Sequence, residues 1–356
     1  MAYQAGRWFE HLFGFRESLA AVKENFVVEE KEDHVELTSK VNNRTFNVGT
    51  FAVRNISSFK DLPEVGGGKL NIIHGRGGRG CTRLVDVLQA ESEPEFDGAT
   101  FLAASNFNCL EFVSGSQTAK DGVTGYVYDR TQGPFCVLAT GPAVVYRNYF
   151  VKHDGVEGQL EKDIELLANT PINAYVKNGY PYIDREASDK LKEHDWSNLD
   201  QFMVGIHSNL EVTTTRGGEG FVDAPPGRIV HHVFGAALSY TYYCHTDETT
   251  LMIGEALLRA QYQATILAGW EHSLKFPGRA GSKRVVLTLL GGGVFGNSME
   301  MIAEAIASCK DLIVKSGLEV YVVCFSDGSF REILPLLESV MQETHGKVIE
   351  PDGPVD

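Results

Sequence analysis

Five short runs of almost unbroken apolar residues do most to limit what this chain can become. They are Ala99–Ala104, Phe135–Ala139, Met203–Ile206, Val285–Leu290 and Val320–Phe325. A strand with one wet face alternates apolar and polar side chains, whereas a run that is apolar throughout suits a strand covered on both faces. Between and around them lie segments of helical spacing. Residues 7–22 carry Trp8, Phe9, Leu12, Phe13, Leu19 and Val22, and residues 251–270 carry Leu257, Leu258, Ile266, Leu267 and Trp270. A helical pattern also runs over 159–168. Val35, Leu37, Phe46, Val48, Phe51 and Val53 alternate as strand residues do, and 229–239 reads as a further element. Strands alternating with helices predict an α/β fold, with helices on both faces of one sheet.

Composition narrows the partners. The chain has 356 residues, 43% of them hydrophobic and 22% charged, with a formal charge of −15. That is globular composition, and its field repels a phosphate backbone, so no nucleic-acid partner is expected. No run reaches the roughly 18 apolar residues of a membrane span. Arg7, Glu10 and His11 interrupt any apolar signal core at the N-terminus, so a cytoplasmic protein is expected. Cys81, Cys109, Cys136, Cys244, Cys309 and Cys324 lie far apart and form no C-x-x-C pair. They read as free, buried thiols, with no metal and no disulfide. His231 and His232 are adjacent and face opposite sides of a strand, so they do not read as a metal pair. There is no internal repeat and no clear boundary between domains. Residues 1–45 read as an N-terminal extension and 150–200 as a charged insertion on a single domain.

The sharpest local signal is a strand, a glycine loop and a helix over 285–315. The loop is Gly291-Gly292-Gly293-Val294-Phe295-Gly296. Met299, Ile302, Ala303, Ile306, Cys309 and Ile313 then share one helix face. Asn297 is predicted to cap that helix, with Glu300 three residues on as in a capping box. Free amides, a positive helix end and no side chains in the way make an anion site, most naturally for a diphosphate. A Walker-type loop needs Lys and Ser/Thr next, and Asn297 stands there instead. Gly291, Gly293 and Gly296 fit the dinucleotide spacing. Glu319, however, stands at the start of the following strand and Asp327 beyond its end, and too little chain follows for a full doubly wound domain. A Rossmann-type NAD oxidoreductase is therefore the lesser alternative.

A second constellation follows the run Ala99–Ala104. Asn106 and Asn108 stand just past the strand, where amides meet ligand hydroxyls, and Glu111, Asp121, Asp129 and Gln132 come after them. A glycine-arginine cluster at His74–Gly80 reads as a loop, as does 213–228, which contains Glu219 and Asp223.

These motifs resemble those of the macrodomain superfamily. Ala104-Ser105-Asn106-Phe107-Asn108 is similar to the Asn-Ala-Ala-Asn segment of macrodomains. Gly291–Asn297 with its strand and helix is similar to their late phosphate loop. Asp129–Pro134 and Tyr146–Tyr149 resemble the larger bacterial-effector type and its eukaryotic relatives, which remove ADP-ribose from arginine of proteins such as ubiquitin. The resemblance implies a three-layer αβα mixed sheet that binds ADP-ribose as ligand or product, with no cofactor, and an ADP-ribosylated protein as partner. Gly291–Gly296 and Asn297 would wrap the diphosphate, Phe295 would pack on the distal ribose, and Asn108 would bond that ribose, with Asn106 and Gln132 beside it. Phe325 and Phe330 would lie beside adenine. The usual Gly-Asp-Ile is missing, and Gly49-Thr50-Phe51 stands roughly in its place without an acid. Cleaving the N-glycosidic bond builds positive charge at the anomeric carbon, which a carboxylate stabilises or meets with activated water. Glu111, Asp121, Asp129, Asp223 and Glu219 are the candidates. The expected activity is mono-ADP-ribosylhydrolase, and a reader that binds without turnover is the alternative.

Overall fold

The apolar runs converge on the middle of one mixed sheet. The computed structural model describes residues 2–77, 83–218 and 220–350. The chain opens with helices α1 (Trp8–Phe13) and α2 (Leu19–Asn25), then strands β1 (Phe26–Glu30), β2 (Val35–Ser39), β3 (Thr45–Arg54) and β4 (Lys69–His74). Next come α3 (Val87–Ala90), β5 (Thr100–Ala104), α4 (Gln132–Leu138) and α5 (Gly141–Tyr149). Two small hairpins follow, β6 (Lys152–His153) with β7 (Val156–Glu157) and β8 (Val176–Lys177) with β9 (Tyr180–Pro181), and then α6 (Arg185–Leu191). The second half holds β10 (Val204–Glu211), β11 (Thr214–Gly217), β12 (Gly220–Asp223), β13 (Ile229–Gly235) and α7 (Glu248–Lys275). It closes with β14 (Arg284–Thr288), α8 (Met299–Ala307), α9 (Lys310–Ser316), β15 (Glu319–Cys324), α10 (Asp327–Glu343) and β16 (Val348–Ile349).

Among the described residues the main sheet runs β1-β2-β3-β10-β13-β5-β14-β15-β4-β16. From β13 to β16 neighbouring strands are parallel, and β10 is antiparallel to both β13 and β3. Every residue of β13 is buried, as a strand covered on both faces requires. One apolar cluster joins the sheet to α1, α4 and α5, and a second joins it to α7, α8, α9 and α10. The layering is the expected αβα. The mixed order is not the doubly wound order of a dinucleotide domain. No helix among the described residues is long and apolar enough to cross a membrane. Cys109, Cys136, Cys244, Cys309 and Cys324 are free and buried, and Cys81 lies outside the described residues.

Three local expectations are corrected. Phe135–Ala139 is not a strand, because Phe135 to Leu138 belong to α4, buried throughout. A short apolar run fits a buried helix as well as a strand. Residues 159–168 form no helix, since their backbone groups bond elsewhere. The Leu166 N–H donates to the Phe107 carbonyl at 3.0 Å, the Met203 N–H to the Leu166 carbonyl at 3.2 Å, and the Ile164 N–H to Gln159 Oε1 at 2.9 Å. The helix over 7–22 breaks at Gly14, which adopts φ +80° and lets α2 start afresh from the Ser18 cap.

Candidate functional site

The parallel strands bring their carboxyl ends to one edge, and the chain after β5, β13 and β14 supplies parts of a cleft. The loop after β14 is held by its own glycines. Gly291 and Gly296 have φ +74° and +76°, and the Asn297 N–H closes back on the Gly291 carbonyl at 3.0 Å. Phe295 accepts from the Tyr240 N–H at 2.9 Å, which ties the loop to the segment after β13. The amides of Gly293, Val294 and Phe295 meet no acceptor among the described residues. Gly293 and Val294 are exposed, so these successive N–H groups stand open to solvent or to an incoming acceptor. The cap of α8 is Ser298, whose Oγ accepts from the Met301 N–H at 3.2 Å, and not Asn297 as expected. Asn297 is buried and instead stitches the loop, donating from Nδ2 to the Leu238 carbonyl at 2.8 Å.

Phe295 forms one wall of a cleft whose other walls are Ser105, Asn106, Phe107, Gly179, Tyr180, Pro181, Ala236, Ala237 and Ser239. Ser239 Oγ is buried there without a partner, as is the nearby Asn297 Oδ1. Unpaired buried polar atoms are costly, so each of the two calls for a partner, a water or a ligand group. The space left in it does not admit a water molecule, so a ligand enters only if its walls move apart.

The hairpin β8–β9 does the closing. Asn178 and Gly179 make its two-residue turn at φ +49° and +76°, as the Asn-Gly pair favours. The Phe107 N–H donates to the Gly179 carbonyl at 2.9 Å, and Asn178 Nδ2 donates to the Gly115 carbonyl at 2.7 Å. The Tyr180 hydroxyl donates to the Phe112 carbonyl, and its ring lies 6.2 Å from that of Phe295. Burial pushes the Tyr180 phenol above its ordinary range, a hydrogen bond with Asn106 opposes this, and the charges of Tyr243 and Asp129 add to the rise. Removing the hydroxyl in Tyr180→Phe deletes one hydrogen bond, worth about 1 kcal/mol. Ligand association in stopped flow is then expected to quicken roughly 3- to 10-fold.

The remaining candidate residues scatter. Asn106 lines the cleft and donates from Nδ2 to the Phe112 carbonyl at 2.9 Å. Asn108 turns toward the insertion, donating to Asp163 Oδ2 at 3.1 Å and accepting from the Leu110 N–H at 3.1 Å. Gln132 extends the ladder of β5, accepting from the Ala104 N–H at 2.8 Å and donating to the Leu102 carbonyl at 2.9 Å. Asp129 is half-buried just before α4, with Oδ1 accepting from the Thr131 N–H at 3.0 Å. Asp121 is exposed and caps its own turn, accepting from the Thr118 N–H at 2.8 Å.

Glu111 is fully buried in an ion pair. Its oxygens lie 3.2 and 2.9 Å from Arg147 Nη2, and Arg147 Nε donates to the Cys109 carbonyl at 2.6 Å. Burial pushes this carboxyl up to about 7, and the Arg147 guanidinium pulls against that rise. Asp223 ends β12 ahead of the amino-terminal end of β13, bonded to His11 at 2.9 Å, so it belongs to the opposite edge of the sheet. Glu219 lies outside the described residues, as do residues 78–80 of the glycine-arginine cluster. Phe325 is exposed after β15, and Phe330 stacks on His74 with ring centroids 3.8 Å apart. Sequence reading missed Tyr180, Gly179 and Ser239. The Asn178-Gly179 pair between Val176-Lys177 and Tyr180-Pro181 is a legible hairpin signal inside the charged insertion.

Fold and site together define an α/β protein with a backbone-amide loop and a covered cleft at the carboxyl edge of its parallel strands. No protein-family model and no curated protein matches the chain. Among solved structures it is similar to poly(ADP-ribose) glycohydrolase from Thermomonospora curvata, at 12% identity over 96% of this chain and 97% of that one, with a TM-score of 0.46. The same enzyme bound to the inhibitor ADP-HPD gives 13% identity over 95% and 97%, at 0.45. Poly(ADP-ribose) glycohydrolase from Deinococcus radiodurans in complex with ADP-ribose gives 11% over 82% and 95%, at 0.43.

Proposed function

We propose that this chain is a macrodomain-type ADP-ribose-binding hydrolase, built as one domain over 1–356 with 1–45 and 150–200 as elaborations. The observation that carries the reading is the run of unpaired amides at Gly293, Val294 and Phe295, open at the sheet's carboxyl edge. A diphosphate satisfies those donors, with the positive end of α8 behind them. The cleft beside Phe295 then takes the distal ribose, once the β8–β9 hairpin lifts, with Ser239 Oγ and Asn106 as its polar contacts. Phe325, exposed one strand further along, offers a ring face to adenine.

The carboxylate assigned to the chemistry is Asp129. It is half-buried just before α4, its Oδ1 held by the Thr131 N–H, and its charge is felt at the Tyr180 phenol, which supports this assignment. From there it stabilises the oxocarbenium-like carbon or takes a proton from the attacking water. Mono-ADP-ribose on a protein side chain is the substrate class, and arginine-linked ubiquitin in the cytoplasm is the form to test first. Incubation with mono-ADP-ribosylated protein should release free ADP-ribose. Asp129→Asn should slow release about 10²- to 10⁴-fold while ADP-ribose affinity by calorimetry stays within about 3-fold. Binding without release would instead support the reader, a second reading favoured by the burial of Glu111 against Arg147.

A further inference from the structure

A separate group of side chains lies on the other side of the sheet from α7. Glu91 follows α3, Cys136 is on α4, and His232 points from β13 toward both, while His231 faces α7 and stacks on His272 at 3.9 Å. All three are fully buried, and one ligand atom from each lies within 4.8 Å of the others. His232 Nε2 is 2.9 Å from Glu91 Oε2. Glu91 Oε1 is buried with no hydrogen-bond partner, and so is His232 Nδ1. The nearby buried cation, Arg147, is already committed to Glu111.

We propose that Glu91, Cys136 and His232 form a buried zinc site, three protein donors with the fourth tetrahedral position left to a water, that pins α3 and α4 to the central strand. A carboxylate, a thiolate and an imidazole are the donor set that zinc takes. Bonds of roughly 2.0–2.3 Å place such donors about 3.3–3.8 Å apart, within the spread seen here. On binding, the Cys136 S–H bond breaks, the sulfur pair bonds the metal, and the proton leaves to solvent. One thiolate, one carboxylate and a divalent cation then sum to zero charge, which answers the cost of a buried ionised carboxylate. The Glu91 carboxylate already faces the Cys136 thiol, so both groups are in place to turn their lone pairs to one metal.

The test is metal content of the full chain expressed in zinc-supplemented medium and purified without chelator. About one zinc per chain is expected, falling below about 0.1 in Cys136→Ser and His232→Ala. Replacement with cobalt(II) should give a thiolate-to-cobalt charge-transfer band in the wild type, so the site is tested even if both variants fail to fold. Wild-type protein with less than about 0.1 zinc and no cobalt–thiolate band would overturn the proposal. It would leave a plain hydrogen-bonded triad of acid, thiol and imidazole. Zinc retained undiminished in both variants would overturn it as well.

Discussion

Gly293→Glu is expected to weaken ADP-ribose binding at least 100-fold in calorimetry while the melting temperature moves by less than about 2 °C. A Cβ at Gly293 meets nothing within 4 Å, and its φ is not in the left-handed region, so the fold tolerates a side chain there. That side chain stands among the three free amides and brings a carboxylate to the place reserved for an anion. A 100-fold loss is about 2.7 kcal/mol, well within the cost of juxtaposed like charges. Gly292 is the poorer position for the test. A Cβ there would lie 2.8 Å from Ile302 Cδ1 and 3.0 Å from Met299 Cε, so a loss of binding would be mixed with disturbance of α8. Affinity unchanged within about 3-fold in Gly293→Glu would remove the phosphate assignment.

The second large effect falls on stability. Glu111→Gln keeps the volume of the side chain but leaves the fully buried Arg147 without a counter-charge. A guanidinium does not shed its proton, so at pH 8, where the wild-type Glu111 carboxyl is mostly ionised, the whole penalty stays, about 3–5 kcal/mol in denaturant unfolding. Arg147→Met is expected to be milder. Burial already holds the Glu111 carboxyl up at about 7, and without Arg147 it takes up a proton and becomes neutral. Equal losses in the two variants, or a loss under 1 kcal/mol in Glu111→Gln, would contradict this account of the pair.

Much of this was legible in the sequence, for physical reasons that can be named. The glycine loop was readable because three adjacent glycines between an apolar strand and an amphipathic helix leave little other use for the backbone. The sheet was readable where strands are buried on both faces, as at Val285–Thr288 and Val320–Cys324. Phe135–Leu138 was not, because its packing between α3, β5 and Phe221 is tertiary and leaves no local mark. The cap of α8 slipped by one residue because Asn297 and Ser298 are both good caps, and the long-range bond of Asn297 to Leu238 decided between them. Glu111 read as a candidate acid, and its buried pairing left no local sign, since its partner stands 36 positions away on α5. The cover over the cleft was hidden in the charged insertion, where only the Asn178-Gly179 turn announced it.

The central claim is that main-chain amides of Gly293, Val294 and Phe295 hold a diphosphate. A titration of the ¹⁵N-labelled, deuterated protein with ADP-ribose, followed by amide resonances, tests it most directly. Those three signals are expected to shift most and to saturate together, followed by Tyr180 and Gly179 as the hairpin moves. Shifts centred instead on the polar cleft around Thr118, Lys120 and Asp163, or no shift at the loop at saturating ligand, would contradict it.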